Sequence, residues 1–320
     1  MNREFAIKAV VILCIFVVEG SSEFQITKDE NIQWEPAIYG DIVIWEDYRN
    51  GNWDIYGYNL KTDEEFPITT DASRQDHPAI YKNIVVWEDF RNGNLDIYGY
   101  NFETKELFPI IESPSSQYFP AIYGDIVVWM DNRNGNLDIY GYNFLSKEEF
   151  QITSDKSDQK FPAIYGNYVV WEDDRNGSGD IYGYNLLTKE EFPIITDKVR
   201  QYHPAVHSNI VVWAMSYGSI DGICGYNLST GQIFQLTKDP YSQSDPAIYE
   251  KIVIWVDDRN RNSDIYGCDL STHPTPSPAY FESLKPTFRG LTRLEDYWLF
   301  LIAVGIMLGI VLVLEYEVTP

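Results

Sequence analysis

Short apolar runs recur at a constant spacing along this chain, and each run ends in a tryptophan. The first is Ile42-Val43-Ile44-Trp45, and two acidic residues follow it. A run that is apolar at every position, yet so short, is typical of a β-strand covered on both faces. The pattern predicts six such strands, each 42 residues after the last, because the tryptophan recurs at Trp45, Trp87, Trp129, Trp171, Trp213 and Trp255.

Three more strands are predicted around each apolar run. In the first unit a short strand ends at Tyr39, a third strand spans 54–59 and a fourth spans 66–69. The Asn50-Gly51 pair between the second and third strands favours a tight hairpin turn. Four strands in a repeat of 42 residues are typical of one blade of a β-propeller. The predicted fold class is therefore all-β, a six-bladed propeller that spans 23–270.

The fourth strand indicates how the ring closes. Its phenylalanine recurs from Phe24 to Phe234, but the next position in the series holds Pro276. The last blade therefore lacks its own outer strand, whereas residues 24–27 precede any blade that they could finish. We expect this N-terminal strand to complete blade six and close the ring, which leaves no open sheet edge.

Both ends of the chain carry targeting signals. Residues 1–22 combine a basic start, an apolar run and small residues, which is the anatomy of a signal peptide. Residues 297–314 contain no charge and are long enough to span a bilayer as a helix. A proline-rich stalk and juxtamembrane segment, 271–296, connects the propeller to this helix, and 315–320 form a short tail. These segments predict a single-pass protein of the cell membrane with an extracellular propeller.

The charges beside the predicted membrane helix oppose this orientation. Lys285, Arg289 and Arg293 lie on its outer side, whereas the positive-inside rule places such residues in the cytoplasm. The leader decides in favour of an external propeller, because long domains translocate largely regardless of local charge. Within the helix, Gly305 and Gly309 would allow a homodimer through close helix packing. Ordinary glycine content of membrane helices is the alternative.

The composition excludes one class of partner. The formal net charge is −24, whereas nucleic-acid binding relies on lysines and arginines that neutralise phosphates. The three cysteines are too few for a disulfide framework. No nucleophile motif accompanies the four histidines, and no cofactor is predicted.

The hairpin sequence Glu46-Asp47-Tyr48-Arg49-Asn50-Gly51-Asn52, followed by Asp54-Ile55-Tyr56 and a Phe-x-Ile-Thr strand, resembles the repeat of TolB-type propellers. It is similar in particular to the tandem copies in archaeal, methanogen-like cell-surface proteins. The resemblance covers roughly residues 24–270 and implies a TolB-like six-bladed fold. TolB itself carries an additional N-terminal α/β domain that is not found in this sequence, so its role in the Tol–Pal envelope system does not transfer.

The candidate binding face is the end of the propeller where the loops from fourth to first strands emerge. A glutamine recurs three residues before each repeat proline, and this ring of amides either contacts a ligand or satisfies loop backbone groups: Gln33, Gln75, Gln117, Gln159, Gln201 and Gln243. The residues between glutamine and proline vary and are partly aromatic, as in a recognition surface, although loop drift gives the same pattern. The further candidates are Trp34, Tyr118, Tyr202, His203, Met215 and Tyr217.

Acidic and basic residues recur at the hairpin between the second and third strands. We interpret them as a structural lattice in which acid and base pair and fix the turn. A Ca²⁺ site built from Asp47, Asn50, Asn52 and Asp54 is the alternative, but Arg49 in the middle argues against it, and no metal is predicted. The lattice residues are Asp47, Arg49, Asp54, Asp89, Arg91, Asp96, Asp131, Arg133, Asp138, Asp173, Arg175, Asp180, Asp257, Arg259 and Asp264.

The fifth unit departs from this repeat, since Ala214 and Met215 follow its tryptophan. The departure indicates either a specialised contact or drift. The symmetry of the other units favours a binding or envelope-structural module, whose partner would be a protein or a glycan at the cell surface. The alternative is a carbohydrate-active enzyme, a glycosidase or lyase, for which a carboxylate pair in the channel, apart from the arginines, would be needed. No catalytic residue is predicted.

Overall fold

The computed structural model describes residues 26–27, 29–217, 220–237, 240–259 and 264–271. The predicted signal peptide, membrane helix and tail, together with the stalk beyond Ser271, lie outside these residues. Within them, every element is a β-strand, and no helix is long and apolar enough to cross a membrane.

The first three blades are four-stranded antiparallel sheets. Blade one contains β1 (Gln33–Tyr39), β2 (Ile42–Asp47), β3 (Asp54–Asn59) and β4 (Glu64–Pro67). Blade two contains β5 (Gln75–Tyr81), β6 (Ile84–Asp89), β7 (Asp96–Asn101) and β8 (Glu106–Ile111). Blade three contains β9 (Gln117–Tyr123), β10 (Ile126–Asp131), β11 (Asp138–Asn143) and β12 (Glu148–Gln151).

Blades four and five repeat this plan, and blade six shows three strands in the described residues. Blade four contains β13 (Gln159–Tyr165), β14 (Tyr168–Asp173), β15 (Asp180–Asn185) and β16 (Glu190–Ile195). Blade five contains β17 (Gln201–His207), β18 (Ile210–Tyr217), β19 (Ile220–Asn227) and β20 (Gln232–Gln235). Blade six contains β21 (Gln243–Tyr249), β22 (Ile252–Asp257) and β23 (Asp264–Asp269).

The first strand of each blade lies on the inside of the molecule. The strands of every sheet follow one another in chain order, and each first strand contacts the first strand of the next blade from β1 through to β21. These six strands therefore surround a central channel, and the later strands of each blade lie further out. The architecture is a six-bladed β-propeller, which confirms the predicted all-β fold.

The apolar runs form the layers between blades. Trp87 is fully buried, and it packs in one cluster with Ile44 and Ile55 of the preceding blade. The second strands are covered on both faces, as their uninterrupted apolar sequence predicts. Burial of each large side chain contributes roughly 2–3 kcal/mol. These layers hold the blades together and so fix the positions of the strands that surround the channel.

A glycine inside the third strand lies under an aromatic ring. Gly57 pairs with Phe66 of β4, and a Cβ atom at Gly57 would lie 2.8 Å from the phenyl ring of Phe66. A Cβ atom would lie 2.5–2.9 Å from the corresponding phenylalanine at each of Gly99, Gly141, Gly183 and Gly225. A glycine in a strand marks a close approach, and here the approaching group is a side chain of the neighbouring strand.

The N-terminal part of the chain contacts blade one. Ile26 packs against the cluster that contains Val43 and Trp45. Ile68, one repeat later, makes the corresponding contact with blade two. Ile26 therefore lies where an outer strand of blade six would place it. The pairing of 24–27 with β23 falls partly outside the described residues and stays a prediction.

The junction between blade six and blade one is less covered than the other junctions. Ile38 is 61% exposed, although its counterpart Ile80 is buried. Ile254 is 43% exposed, whereas its counterpart Ile44 is fully buried. We therefore expect closure of the ring to depend on the N-terminal strand more than on contacts between these two side chains.

Truncation of Ile26 tests this dependence. Ile26→Ala should lower the free energy of unfolding by about 2 kcal/mol, because it removes apolar contacts from the layer on blade one. Urea denaturation of the full-length chain measures this change. Ile32→Ala is the matched control, since Ile32 is 52% exposed. If both variants are equally neutral, residues 24–27 do not close the ring.

Candidate functional site at the channel mouth

The first strand of each blade carries a β-bulge two residues after its glutamine. In blade one Glu35 and Pro36 face the single residue Trp45, so the pairing shifts between Trp34 and Ala37. Glu35 has a φ of 47°, and its five counterparts have φ between 48° and 53°. Residues other than glycine avoid this region, at a cost on the order of 1 kcal/mol each. A bulge redirects a side chain, and this one does so in all six blades.

The six bulge side chains line one cavity of about 560 Å³ together with the repeat prolines. They are Glu35, His77, Phe119, Phe161, His203 and Asp245. Successive rings are in contact, with centroid distances of 4.1 Å from His77 to Phe119, 5.0 Å from Phe119 to Phe161 and 4.5 Å from Phe161 to His203. His203 Nδ1 is hydrogen-bonded to Asp245 Oδ1. We call this cavity the channel-mouth pocket.

The channel-mouth pocket has an acidic side and an apolar side. Glu35 of blade one and Asp245 of blade six belong to neighbouring blades, whereas Phe119 and Phe161 belong to blades three and four on the other side of the channel. The histidines lie between the two sides. Glu35 makes no hydrogen bond or ion pair with any other residue in the described part of the chain. A carboxylate pair apart from the arginines is therefore present.

Side chains of the preceding blade hold three of the bulges. His77 N donates to Glu46 Oε1 at 2.6 Å, and Phe119 N donates to Glu88 Oε1 at 2.7 Å. In the next blade Phe161 N donates to Met130 Sδ at 3.1 Å. A buried backbone donor is costly to leave unpaired, so these contacts position the pocket side chains.

The buried groups behind the pocket have shifted pKa values. Burial raises the pKa of Glu46 from its ordinary value of 4.5 to about 7. Burial also raises the pKa of Asp76 to about 6, although Arg74 opposes the change. Burial alone would lower the pKa of His77, but Glu88, whose Oε1 lies 3.0 Å from Nδ1, together with Glu46 and Glu35 outweighs burial, so that pKa is raised. Such a cluster beside a cavity is typical of a functional site.

The predicted glutamine ring lies behind the pocket and does not line it. Gln75, Gln117, Gln159, Gln201 and Gln243 are buried, and Gln33 is half-buried. The Nε2 atom of Gln159 donates to Ser157 O at 2.6 Å, two residues earlier. The Oε1 atom of Gln243 accepts from Thr237 Oγ1 at 2.9 Å. The amides therefore satisfy loop backbone and hydroxyl groups, and the bulge, two residues later, supplies the ring that faces the channel.

The other predicted contacts on this face are distributed among three environments. His203 lines the pocket. Trp34 is 58% exposed on the rim of blade one, where it stacks on Trp53 at 5.2 Å. Tyr118 and Tyr202 are half-buried in the layers between blades. Of this set, the structure brings only His203 into the pocket.

Met215 and Tyr217 of blade five do not join the pocket. Met215 is 2% exposed and packs in an apolar cluster with Trp213 and Cys224. It occupies the position of the buried lattice aspartate, and this position is covered whichever residue it holds. Tyr217 ends β18, and its side chain lies outside the described part of the structure.

The lattice aspartate at the end of each second strand is a buried junction. Asp173 accepts hydrogen bonds from Trp171 Nε1 at 2.9 Å and from Arg175 Nη2 at 2.6 Å. The Arg175 guanidinium also lies 4.1 Å from the centroid of the Tyr182 ring. Asp47, Asp89, Asp131 and Asp257 occupy the same position and are equally buried. The pKa of Asp257 is lowered to about 2, and the hydrogen bond from the Arg259 side chain is the main cause.

The second lattice aspartate is bound by amides and not by the arginine. Asp54 faces Asp47 across the hairpin and accepts from Asn50 Nδ2 at 2.6 Å and from Asn52 Nδ2 at 3.0 Å. The amide nitrogens, and not the oxygens, therefore face this carboxylate. Among the residues described, no group of three or more His, Cys, Asp or Glu side chains could hold a metal ion.

A ladder of aromatic rings at the other ends of the first strands was not predicted. Successive centroids are 4.2–5.0 Å apart through Tyr39, Tyr81, Tyr123, Tyr165, His207 and Tyr249. Glu250 N donates to His207 Nδ1 at 3.2 Å, and burial lowers the pKa of His207, so this imidazole is neutral at pH 7. The regular spacing of these residues in the repeat was the available signal.

The chemistry open to the pocket follows from its six side chains. Carboxylates and imidazoles can bind a cation or transfer protons, and the phenyl rings can hold an apolar group. The thiol of Cys224 is fully buried, which raises its pKa to about 12, so it offers no thiolate nucleophile. The arrangement suits binding, and acid–base chemistry is the alternative.

No family model and no curated protein matches the sequence. Among solved structures, TolB from Acinetobacter baumannii is similar, with a TM-score of 0.54 and 15% identity over 69% of this chain and 58% of that chain. Oligogalacturonate lyase from Vibrio parahaemolyticus has a TM-score of 0.61 and 12% identity over 78% of this chain and 79% of that one. Acylaminoacyl peptidase from Pyrococcus horikoshii has a TM-score of 0.59 and 13% identity over 79% and 46%.

These similarities show the fold alone, because every identity is low. The propeller is TolB-like, and this chain spans 58% of the length of the Acinetobacter TolB. The same fold is found in a lyase and a peptidase as well as in TolB. A shared fold does not transfer an activity, so the function has to be argued from the pocket.

Replacement of one lattice aspartate should destabilise the propeller. Asp173→Asn should lower the free energy of unfolding by about 3 kcal/mol, because Trp171 Nε1 and Arg175 lose a buried anionic acceptor. Met215→Leu, at the same repeat position in blade five, should change it by less than about 1 kcal/mol. Chemical denaturation measures both. Equal effects would show that the aspartate junction does not stabilise its blade.

Neutralisation of Glu46 should stabilise the protein in a pH-dependent manner. The pKa of Glu46 is raised, so its unfavourable contribution is absent below about pH 4.5, grows as pH rises and is complete above about pH 7. Glu46→Gln should therefore raise the free energy of unfolding by about 2 kcal/mol at pH 8 and by much less at pH 5. The exposed control Glu64→Gln should show no such trend. If Glu46→Gln raised the free energy of unfolding equally at both pH values, the raised pKa of Glu46 would be contradicted.

Proposed function

We propose that this chain is a binding module of the cell surface, and that it holds its ligand in the channel-mouth pocket. The observation that carries the proposal is the variation at the bulge. Its backbone conformation is the same in all six blades, yet its residues are acidic, basic or aromatic. A rigid frame that presents different side chains to one cavity is the usual arrangement of a recognition site.

Three features support binding in preference to a purely structural role. The cavity of about 560 Å³ is large enough for a small ligand or for one side chain of a partner. The bulges are maintained although the backbone region is unfavourable, and strain of this kind clusters at functional sites. Glu35 faces the pocket with no hydrogen-bond or ion-pair partner in the described residues.

The placement of the module is part of the proposal. The leader at 1–22 and the apolar segment at 297–314 support a single-pass membrane protein with an external propeller. The partner would then be a protein or a glycan at the cell surface. A homodimer through Gly305 and Gly309 would present two pockets side by side and increase avidity.

Photocrosslinking from the pocket tests both the site and its exposure to the exterior. p-Benzoylphenylalanine in place of Phe161, in the full-length protein on intact cells, should form an adduct on irradiation. The matched control has the same group in place of Phe90, which is exposed on a hairpin. Addition of protease to intact cells should remove the adduct. Adducts of the same pattern from both positions, or none from the pocket, would contradict the proposal.

A carbohydrate-active enzyme is the second candidate, and the carboxylate pair favours it. Glu35 and Asp245 line one cavity apart from the arginines, and Asp245 is bonded to His203. A glycosidase needs two carboxyl groups on opposite sides of the scissile bond. Incubation with acidic and neutral polysaccharides distinguishes the candidates. New chain ends that Glu35→Gln abolishes would establish an enzyme, whereas intact polysaccharide leaves binding as the function.

A further inference from the structure

We infer that the channel-mouth pocket binds an organic cation, a primary ammonium group carried on an apolar body. This inference rests on the proposed function, because it names the chemical class of the ligand of the same pocket. It follows from the order of the six bulge residues around the channel, which is acid, histidine, phenylalanine, phenylalanine, histidine, acid.

The acidic side provides the site for the cation. Glu35 has no hydrogen-bond or ion-pair partner in the described part of the chain. Asp245 is paired with His203, and this hydrogen bond is the main cause that lowers the pKa of Asp245. Glu35 is exposed, and within the described residues it interacts electrostatically with the imidazole of His77, which already contacts Glu88. The pocket therefore has one carboxylate without an ion pair next to a paired one, and a small cation would be attracted to that point.

Basic residues near the pocket do not neutralise this charge. Arg74 pairs with Asp76, and Arg200 lies 3.1 Å from Glu172. Lys160 lies 2.8 Å from Asp174 and 3.3 Å from Glu172. Each of these cations is already engaged with a carboxylate. The two histidines of the pocket also contact carboxylates, His77 with Glu88 and His203 with Asp245. An anionic ligand would thus meet Glu35 with none of these arginine, lysine or histidine side chains left without a carboxylate partner.

The apolar side provides the site for the rest of the ligand. Phe119 and Phe161 are half-buried, and their ring centroids lie 5.0 Å apart in an edge-to-face arrangement. The fourth of six blades lies across the channel from the first, so Phe161 faces Glu35. An ammonium group at Glu35 would leave an aryl or alkyl body against these rings, where apolar burial contributes and, for an aryl body, so does ring-to-ring contact.

A set of matched ligands tests this assignment by isothermal titration calorimetry on the full-length chain at pH 7. Phenethylamine should bind with a Kd on the order of 1 mM, since it has few atoms. 2-Phenylethanol has the same shape without the charge, 3-phenylpropionate has the opposite charge, and ethylamine lacks the ring. Each of these should bind at least about fivefold more weakly, because one of the two contacts is missing.

Two substitutions link the binding to the named side chains. Glu35→Gln should weaken phenethylamine binding about tenfold, and Phe161→Leu, which keeps an apolar contact but removes the contact between aromatic rings, should weaken it about threefold. Glu64→Gln, remote on β4, should leave it unchanged. An unchanged Tm for each variant shows that the propeller is intact.

The outcomes separate this inference from the proposed function. If the alcohol binds as tightly as the amine, or if Glu35→Gln has no effect, the cation assignment is wrong. If no amine binds while photocrosslinking from position 161 still captures a ligand, the pocket is a binding site for a different class of ligand. If neither experiment gives a signal, both the assignment and the proposed function fail.

Discussion

Each blade is held to its neighbour by a buried layer in which the tryptophan of one second strand packs against the apolar residues of the previous one. Trp87, Trp129, Trp171 and Trp213 have no exposed surface. In blade four the indole nitrogen donates to Asp173, which in turn holds Arg175 over Tyr182. The layer and the hairpin are therefore connected through the tryptophan.

The same tryptophan also lies opposite the bulge. In blade one two residues of the first strand face Trp45, and the extra residue, Glu35, takes a left-handed backbone. Such a conformation persists only when the surrounding structure over-determines it. The indole opposite the bulge is one part of that constraint, and in blades two to four an acceptor of the preceding blade that binds the bulge N–H is another. The channel-mouth pocket is thus a consequence of how the blades pack.

The periodic features of the sequence carried most of the information about the fold. The spacing of the tryptophans predicts the number of blades, and Asn50-Gly51 predicts the hairpin, because both depend on local chemistry and on repetition. The direction in which the residues after Gln75 point depends instead on the bulge, which shifts the side-chain alternation of the first strand by one residue. That shift was not predicted from the sequence.

The candidate site, like the fold, was predictable from the sequence only in part. His203, which was named from the sequence as a candidate of the binding face, lies in the pocket, whereas Glu35, Phe119 and Phe161 were included only as variable loop positions. Whether they converge depends on the ring of first strands, which is a long-range property of the fold. The raised pKa of Glu46 likewise depends on burial between two blades. A pattern within one repeat contains neither kind of information.

The bulges have a consequence for how such a protein could diversify. Each one forms where a repeat proline and the residue before it face the tryptophan of the second strand, and its left-handed backbone accepts Glu, His, Phe or Asp alike. A substitution at Glu35, His77, Phe119 or Phe161 alters one of the six bulge side chains and leaves the hydrogen bond between His203 and Asp245 in place. Gene duplication followed by single changes could therefore generate a combinatorial series of pockets on an unchanged scaffold.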